Sequence, residues 1–233
     1  GGVGPVRRGR RRTRGGHTLA GRRGADVCRG QVTQWKGPAC AKWSPGGKRQ
    51  EAAITVVQRS DGSGTTFVWS NYLSKTSAGF KSAVGEGTSV KWPAGVGGKG
   101  NEGVASYVQK IDGSLGYVEY AYAKQNKLSY GQMQNKAGRF VEPDDGSFKA
   151  AAAGADWKSV PGMGVVLTDQ PGETSWPITG ASFILVHATQ EKPESGREVL
   201  KFVEWSFKNG AKMAEERDYV PMPAPVGTEI QAA

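Results

Sequence analysis

The clearest pattern along the chain is a β-branched run that is followed by a glycine-containing turn and a helical repeat. Residues 54–57 read Ile-Thr-Val-Val, which is typical of a buried strand. Glycines at positions 62 and 64 then permit a tight turn. Val68 and Tyr72 recur at helical spacing. The pattern predicts a strand, a turn, and a helix that begins directly after the second glycine.

Two further patterns lie in the C-terminal part of the chain. Residues 182–187 form a short run that contains apolar β-formers, which predicts a strand. Residues 197–209 have apolar positions at helical spacing and are followed by Gly210, which predicts an amphipathic helix that ends at the glycine. The residues of this helix expected to face a core are Val199, Leu200, Val203 and Phe207.

The turn after the first strand carries residues suited to binding an anion. The first backbone N–H groups of a helix have no intrahelical partner, and the helix dipole favours negative charge there. Arg59 adds a guanidinium group, Ser63 and Thr65 add hydroxyl groups, and Gly64 lets a ligand approach the backbone closely. The residues alone also allow a simpler interpretation, in which Ser63 or Thr65 only caps the helix and Arg59 lies in solvent.

This turn resembles the signature of a known family. The segment that begins at Arg59 reads R-S-D-G-S-G-T-T-F, which closely resembles the signature of the phosphate-binding proteins of bacterial Pst-type ABC importers. The resemblance implies that Arg59, Ser63, Gly64 and Thr65 bind phosphate oxygens and that Asp61 mainly orients the guanidinium group. It also implies that the ligand is inorganic phosphate and that the partners are the membrane permease and ATPase subunits of an importer.

A glycine-rich segment follows at residues 92–103. Its spacing formally fits a dinucleotide fingerprint, but a Trp-Pro pair stands where this fingerprint needs a buried strand. Lys99 is followed by glycine rather than by Ser or Thr, so the segment is not a P-loop. The run W-P-A-G-V-G-G-K-G-N-E-G instead resembles a second hallmark of the same family, a loop at the rim of the cleft. A helix is predicted over residues 103–110, with Asn101 as its cap.

The resemblance covers about three quarters of the chain and implies the fold. The fold class is α/β and periplasmic-binding-protein-like, with two α/β lobes joined by a hinge and the first lobe incomplete. Residues 1–30 are expected to be an atypical Arg/Gly-rich segment that is disordered or mistranslated. Residues 31–177 would form the second lobe, which carries the phosphate turn, and residues 178–233 would form the returning part of the first lobe. An incomplete first lobe would leave three apolar side chains exposed, namely Phe183, Leu185 and Phe202.

The net charge of +10 is concentrated at the start of the chain. Residues 1–50 carry 13 of the 31 Arg and Lys residues and only one of the 21 acidic residues, so the rest of the chain is close to neutral. The arginine-rich start could be a basic arm that binds nucleic acid or another polyanion, a targeting peptide, or the product of a misplaced start or frameshift. No apolar core follows the arginines, which argues against a secretory signal peptide. We favour the third interpretation, and binding of nucleic acid or another polyanion is the alternative function.

The remaining composition limits the other classes of function. Cys28, Cys40, His17 and His187 are too scattered for a metal site, and two free thiols are expected. Neither histidine lies near Ser63 in the sequence, so there is no sign of a base that would activate a serine nucleophile. These residues give no sign of an enzyme. The family resemblance implies a solute-binding monomer without a cofactor, and no nucleic-acid partner is expected. The family resemblance implies a periplasmic or cell-surface location.

Overall fold

A five-stranded mixed sheet organises the fold. The computed structural model describes residues 2–7, 18–43 and 51–232. The strands, in chain order, are β1 (Val3–Arg7), β2 (Thr18–Leu19), β3 (Thr55–Arg59), β4 (Val96–Gly98), β5 (Ser114–Glu119), β6 (Ser129–Tyr130), β7 (Gln132–Gln134) and β8 (Phe140–Val141). The α-helices are α1 (Gly21–Cys28), α2 (Pro38–Trp43), α3 (Gly64–Thr76), α4 (Ala78–Ala83), α5 (Gly100–Lys110), α6 (Tyr120–Gln125), α7 (Asp145–Ala153), α8 (Pro193–Asn209), α9 (Ala211–Glu215) and α10 (Ala224–Ala232).

The order of strands in the main sheet is β4-β3-β5-β1-β6. The predicted strand, β3, lies between β4 and β5 and is parallel to both. Strand β1 runs antiparallel to β5 and β6. A smaller sheet contains β2, β7 and β8. Because β3 is covered on both faces, Val56, Val57 and Gln58 are buried in succession rather than alternately.

Hydrophobic clusters lie on both faces of the main sheet. On one face, Val56 packs in the cluster that contains Trp69 and Leu73 of α3. On the other face, Val57 packs in the cluster that contains Val104 of α5. Neighbouring residues of a strand point to opposite faces, so this one run of apolar residues contributes to both clusters. The result is a layered α/β arrangement in which α3 and α5 contact opposite faces of β3.

The N-terminal part of the chain differs from the expectation of disorder for the residues that the structure describes. Val3 and Val6 are buried, and the Val3 N–H donates to the Ile178 carbonyl at 2.9 Å. In α1, Ala25 and Val27 enter the core. A few small apolar residues among arginines and glycines are therefore enough to form a strand and a helix, although the overall composition conceals them.

The arginines of the predicted basic arm divide into two groups. The guanidinium carbon of Arg7 lies 4.9 Å from the centre of the Trp35 ring, a cation–π contact within the folded part. Burial lowers the pKa of Arg7 below its usual value. Arg8, Arg10, Arg11, Arg12 and Arg14 lie outside the described residues.

The predictions for the C-terminal region hold only in part. Residues 182–187 are not a strand, because no neighbouring strand pairs with them in the described structure. The predicted helix forms as α8 and begins four residues earlier, at Pro193. Its apolar side chains do not enter a core: Val199, Leu200 and Phe207 are exposed, and Val203 is partly exposed. The side chains of Phe183, Leu185 and Phe202 are exposed, as expected.

Both cysteines of the chain lie within the described residues. Cys28 and Cys40 are both buried, and no disulfide joins them, as predicted. Burial raises the pKa of the Cys28 thiol to about 12. Across the parts of the chain that the structure describes, no helix is both long enough and apolar enough to cross a membrane.

Candidate functional site

The anion turn has the strand, turn and helix that the sequence predicts. Strand β3 ends at Arg59, and α3 begins at Gly64. The strand covers residues 55–59 rather than 54–57, because its pairing with β4 continues to the arginine. The turn therefore brings the guanidinium-bearing residue and the first turn of α3 to the same edge of the sheet.

Arg59 and Asp61 form a two-pronged ion pair. Arg59 Nε donates to Asp61 Oδ1 at 2.8 Å, and Arg59 Nη2 donates to Asp61 Oδ2 at 2.6 Å. The Gly100 N–H also donates to Asp61 Oδ1, at 3.1 Å. The hydrogen bonds from Arg59 and then from Gly100 hold the pKa of the Asp61 carboxyl well below its usual range. The hydrogen bond to Asp61 raises the pKa of Arg59.

This ion pair fixes the plane of the Arg59 guanidinium group. Two parallel N–H···O bonds specify orientation as well as distance. The Arg59 side chain is only 10% exposed, so it does not lie free in solvent as the simpler interpretation has it. The contact between Asp61 and Arg59 is therefore the one that the sequence predicts, and the roles of both residues in binding an anion stay predictions.

Ser63 is the N-cap of α3. Its Oγ accepts hydrogen bonds from the backbone N–H groups of Thr65 at 3.1 Å and Thr66 at 3.4 Å. The Ser63 N–H donates to the Thr88 carbonyl at 2.8 Å, which ties the turn to a neighbouring loop. A serine hydroxyl has one proton and two lone pairs. Ser63 can therefore cap the helix through its oxygen while its proton is directed to a ligand.

Gly64 and Thr65 form the first turn of α3 beside this cap. Gly64 is exposed, and a Cβ atom added to it would have no heavy atom within 4 Å. Thr65 is partly buried. The structure thus brings all five predicted residues together within one turn, with open space above Gly64.

The glycine-rich loop meets the site through its backbone. Gly100 has a φ of 69°, a left-handed conformation that favours glycine, and its N–H is the one that binds Asp61. Helix α5 begins at Gly100 rather than at residue 103. The prediction that Asn101 caps this helix is wrong: the N-cap is Lys99, and Asn101 Oδ1 instead accepts from the Glu119 N–H at 3.3 Å. The amide of Asn101 is used by the start of α6, which the sequence could not show.

Tyr117 is a neighbour of the site that the sequence analysis does not identify. The Arg59 N–H donates to Tyr117 Oη at 3.1 Å, and Tyr117 Oη lies 2.8 Å from Thr66 Oγ1. The ring stacks on Trp69, with centroids 5.5 Å apart. No local pattern could have identified this contact, because the tyrosine lies 58 positions from Arg59 along the chain.

The chemistry of the turn is that of a hydrogen-bond donor site. Arg59 carries a fixed positive charge, Ser63 and Thr65 carry hydroxyl groups, and the first N–H groups of α3 point along the helix axis towards its N-terminus. The carboxylate of Asp61 already accepts from Arg59 and Gly100. An acceptor-rich anion is therefore the complementary ligand for this arrangement.

A family model and a sequence relative both match most of this chain. A family model described as a PBP superfamily domain matches residues 18–209. The chain is 57% identical over 220 residues to the phosphate-binding protein PstS of Pasteurella multocida. The match covers 94% of this chain and 64% of that protein. The chain thus spans less than two thirds of the length of this relative.

Solved structures share the fold at low sequence identity. A DING protein is 15% identical with a TM-score of 0.69, and the match covers 99% of this chain and 69% of that protein. An ABC-type phosphate transport receptor from Vibrio cholerae is 14% identical with a TM-score of 0.53, and the match covers 95% and 69% of the two chains. These matches show a periplasmic-binding-protein-like fold, which confirms the predicted fold class at that level.

Proposed function

We propose, from the premise that this chain belongs to the PBP superfamily, that it binds inorganic phosphate at the turn between β3 and α3. Arg59, Ser63, Gly64 and Thr65 would contact the phosphate oxygens. Asp61 would hold the guanidinium group in the orientation that this contact needs. The observation that carries the proposal is the Arg59–Asp61 ion pair beside the capped N-terminus of α3.

Phosphate fits this site better than a larger or less charged ligand. It is compact, carries negative charge and has four oxygens that accept hydrogen bonds from several directions. The guanidinium N–H groups that do not bind Asp61, the Ser63 hydroxyl proton and the N-terminus of α3 supply donors from separate directions within one turn. The PstS relative from Pasteurella multocida is named for the same ligand, which supports the proposal.

The wider role that we propose is delivery of phosphate to an ABC importer. The protein would act as a monomer in the periplasm or at the cell surface and would pass phosphate to the permease and ATPase subunits of the importer. It would bind and release phosphate without chemical change, as a solute-binding protein rather than an enzyme. The motif resemblance and the PstS relative support this role.

The direct test compares Arg59→Ala with Arg139→Ala by isothermal titration with phosphate. Arg139 is a matched control because its replacement removes the same charge from the turn between β7 and β8, where the side chain is 66% exposed. Charge-assisted hydrogen bonds contribute about 1.5–3 kcal/mol each, so Arg59→Ala should weaken phosphate binding at least ~10-fold. The control should bind as the unaltered chain does.

Two results would contradict the proposal. The first is an unaltered chain that takes up no phosphate at millimolar concentration. The second is equal affinity of Arg59→Ala and Arg139→Ala, which would mean that only general positive charge attracts the anion. A steep loss of binding with added salt would point in the same direction, because a purely electrostatic attraction is screened by salt.

A further inference from the structure

Tyr117 lies behind the anion turn and contacts both elements that form it. Its Oη accepts from the backbone N–H of Arg59, at the end of β3. The same Oη lies 2.8 Å from Oγ1 of Thr66, in the first turn of α3. One hydroxyl group thus joins the residue that carries the guanidinium group to the helix whose N-terminus faces the ligand.

The contact continues to the helix cap. A tyrosine hydroxyl has one donor and two acceptor positions. The Arg59 N–H uses one acceptor, and Thr66 shares either the proton or the second acceptor. The Thr66 N–H in turn donates to Ser63 Oγ at 3.4 Å. A continuous chain of polar contacts therefore runs from Arg59 through Tyr117 and Thr66 to the capping serine.

The tyrosine ring is held in place on two sides. Trp69 stacks on it with an angle of 14° between the rings, and the centroid of the Trp92 ring lies 5.9 Å from that of the Tyr117 ring. The whole residue is only 1% exposed. Burial raises the pKa of Tyr117 to about 12, so its hydroxyl stays neutral and protonated throughout the physiological range. The hydroxyl position is thus set by the core and not by solvent.

We propose that Tyr117 is a positioning residue of the anion site, whose hydroxyl sets the spacing between the Arg59 guanidinium group and the N-terminus of α3. It acts through Arg59 and Thr66 and does not contact the anion. Hydrogen bonds weaken steeply when their distance and angle depart from the optimum. A small shift between strand end and helix start would therefore weaken several ligand contacts together. This inference rests on the proposed phosphate function.

The test replaces Tyr117 by Phe, which keeps the ring and its stacking but removes the hydroxyl. Tyr72→Phe is the matched control: Tyr72 is fully buried in α3, and its Oη donates to the Gln134 carbonyl at 2.7 Å. Both variants should lose similar thermal stability. Only Tyr117→Phe should weaken phosphate binding, by roughly 3- to 10-fold in isothermal titration. Equal phosphate affinity of the two variants would overturn the inference.

A double-mutant cycle checks that the effect passes through Thr66. Thr66→Val removes the hydroxyl that contacts Tyr117 and keeps the shape of the side chain. Because both substitutions break the same contact, the combined variant should lose less phosphate affinity than the product of the two single losses. Strict additivity would contradict a shared pathway.

A third measurement separates this inference from the proposed function. In Tyr117→Phe the Arg59 N–H loses its acceptor, so its amide hydrogen should exchange faster and its NMR resonance should shift. Tyr72→Phe should leave that resonance unchanged. If the unaltered chain bound no phosphate, the proposed function would fail, yet these signals would still show whether the Tyr117 hydroxyl holds the end of β3. An Arg59 amide signal that is unaffected by Tyr117→Phe would refute the role.

Discussion

Ser63 combines two roles in the structure, helix cap and proposed phosphate donor, and a matched pair of substitutions can separate them. Ser63 Oγ accepts from the N–H groups of Thr65 and Thr66, and Ser63 is 7% exposed. Ser77 caps α4 in the same way, accepting from the Phe80 N–H at 3.2 Å, and is also 7% exposed. The two serines therefore differ chiefly in their distance from the anion turn along the chain.

The expected loss of stability follows from these contacts. Replacing an N-cap serine by alanine costs about 1 kcal/mol, within a range of roughly 0.5–2. For a chain of this size, that corresponds to a fall in melting temperature of about 2–4 °C. We expect Ser63→Ala to lie at the upper end, because two donors lose their acceptor, and Ser77→Ala to lie lower, because only one does.

The two variants should differ more in phosphate binding than in stability. A neutral hydroxyl that donates to a charged oxygen contributes about 1.5–3 kcal/mol, so Ser63→Ala should lose roughly tenfold or more in affinity. Thermal unfolding with and without millimolar phosphate measures both quantities, because a ligand of the folded state raises the melting temperature. Ser77→Ala should keep the full rise caused by phosphate.

A third variant, Ser63→Asp, tests whether loss of the helix cap alone could explain a smaller response to phosphate. Aspartate is as good an N-cap as serine and interacts favourably with the helix dipole, so Ser63→Asp should keep the stability of α3. Its carboxylate has no proton to donate and repels an anion, so the rise in melting temperature with phosphate should disappear. If Ser63→Ala and Ser77→Ala responded equally to phosphate, Ser63 would be a helix cap only.

Three further predictions concern the rest of the chain. The ion pair lowers the pKa of Asp61 in the folded chain, so its stabilisation is fully present above the ordinary carboxyl pKa of about 4 and is lost only as the pH falls through the lower folded value. A carboxyl NMR titration should therefore show Asp61 still ionised at pH 4. Gly98→Ala should destabilise the fold by about 1–3 kcal/mol in denaturant unfolding, because the added Cβ would come within 2.6 Å of the α5 backbone. Gly62→Ala should be tolerated, because a Cβ added there has no heavy atom within 4 Å. Phe202→Glu should reduce self-association in light scattering because Phe202 is 64% exposed on α8, and Gln125→Glu, which adds the same charge at another exposed position, should not.

The anion turn was predictable because its determinants are local. Arg59 and Thr65 lie only six positions apart, and a strand end, a tight turn and a capped helix each have their own signal in this short segment. The ion pair with Asp61 also follows from two neighbouring residues. The local pattern therefore predicts the strand, the turn and the capped helix, and the family resemblance adds the contact between Asp61 and Arg59.

The C-terminal region shows where local reasoning fails. Residues 182–187 have the composition of a strand, but strand formation requires a hydrogen-bonding partner, and in the described structure none lies beside them. The reverse case is β4, which reads Val-Gly-Gly and has little intrinsic preference for a strand. It forms because the edge of β3 offers it backbone partners, and because Gly98 permits close approach to Gly103. In both cases the presence of a neighbouring strand, and not the composition of the segment, decides whether a strand forms.

Polar contacts position helix α3 at both of its ends. Its sequence contains several polar residues that would be expected in solvent, yet Thr66, Ser70 and Asn71 are buried. At its C-terminal end, Lys75 Nζ donates to both the carbonyl and Oγ1 of Thr168 at 2.9 Å. Its N-terminal end is joined to β3 through Tyr117. Directional polar contacts at both ends locate a helix more narrowly than apolar packing alone, because each contact specifies distance and angle. The N-terminus that faces the proposed anion is therefore held from behind by residues far away in the sequence, and only the folded structure reveals them.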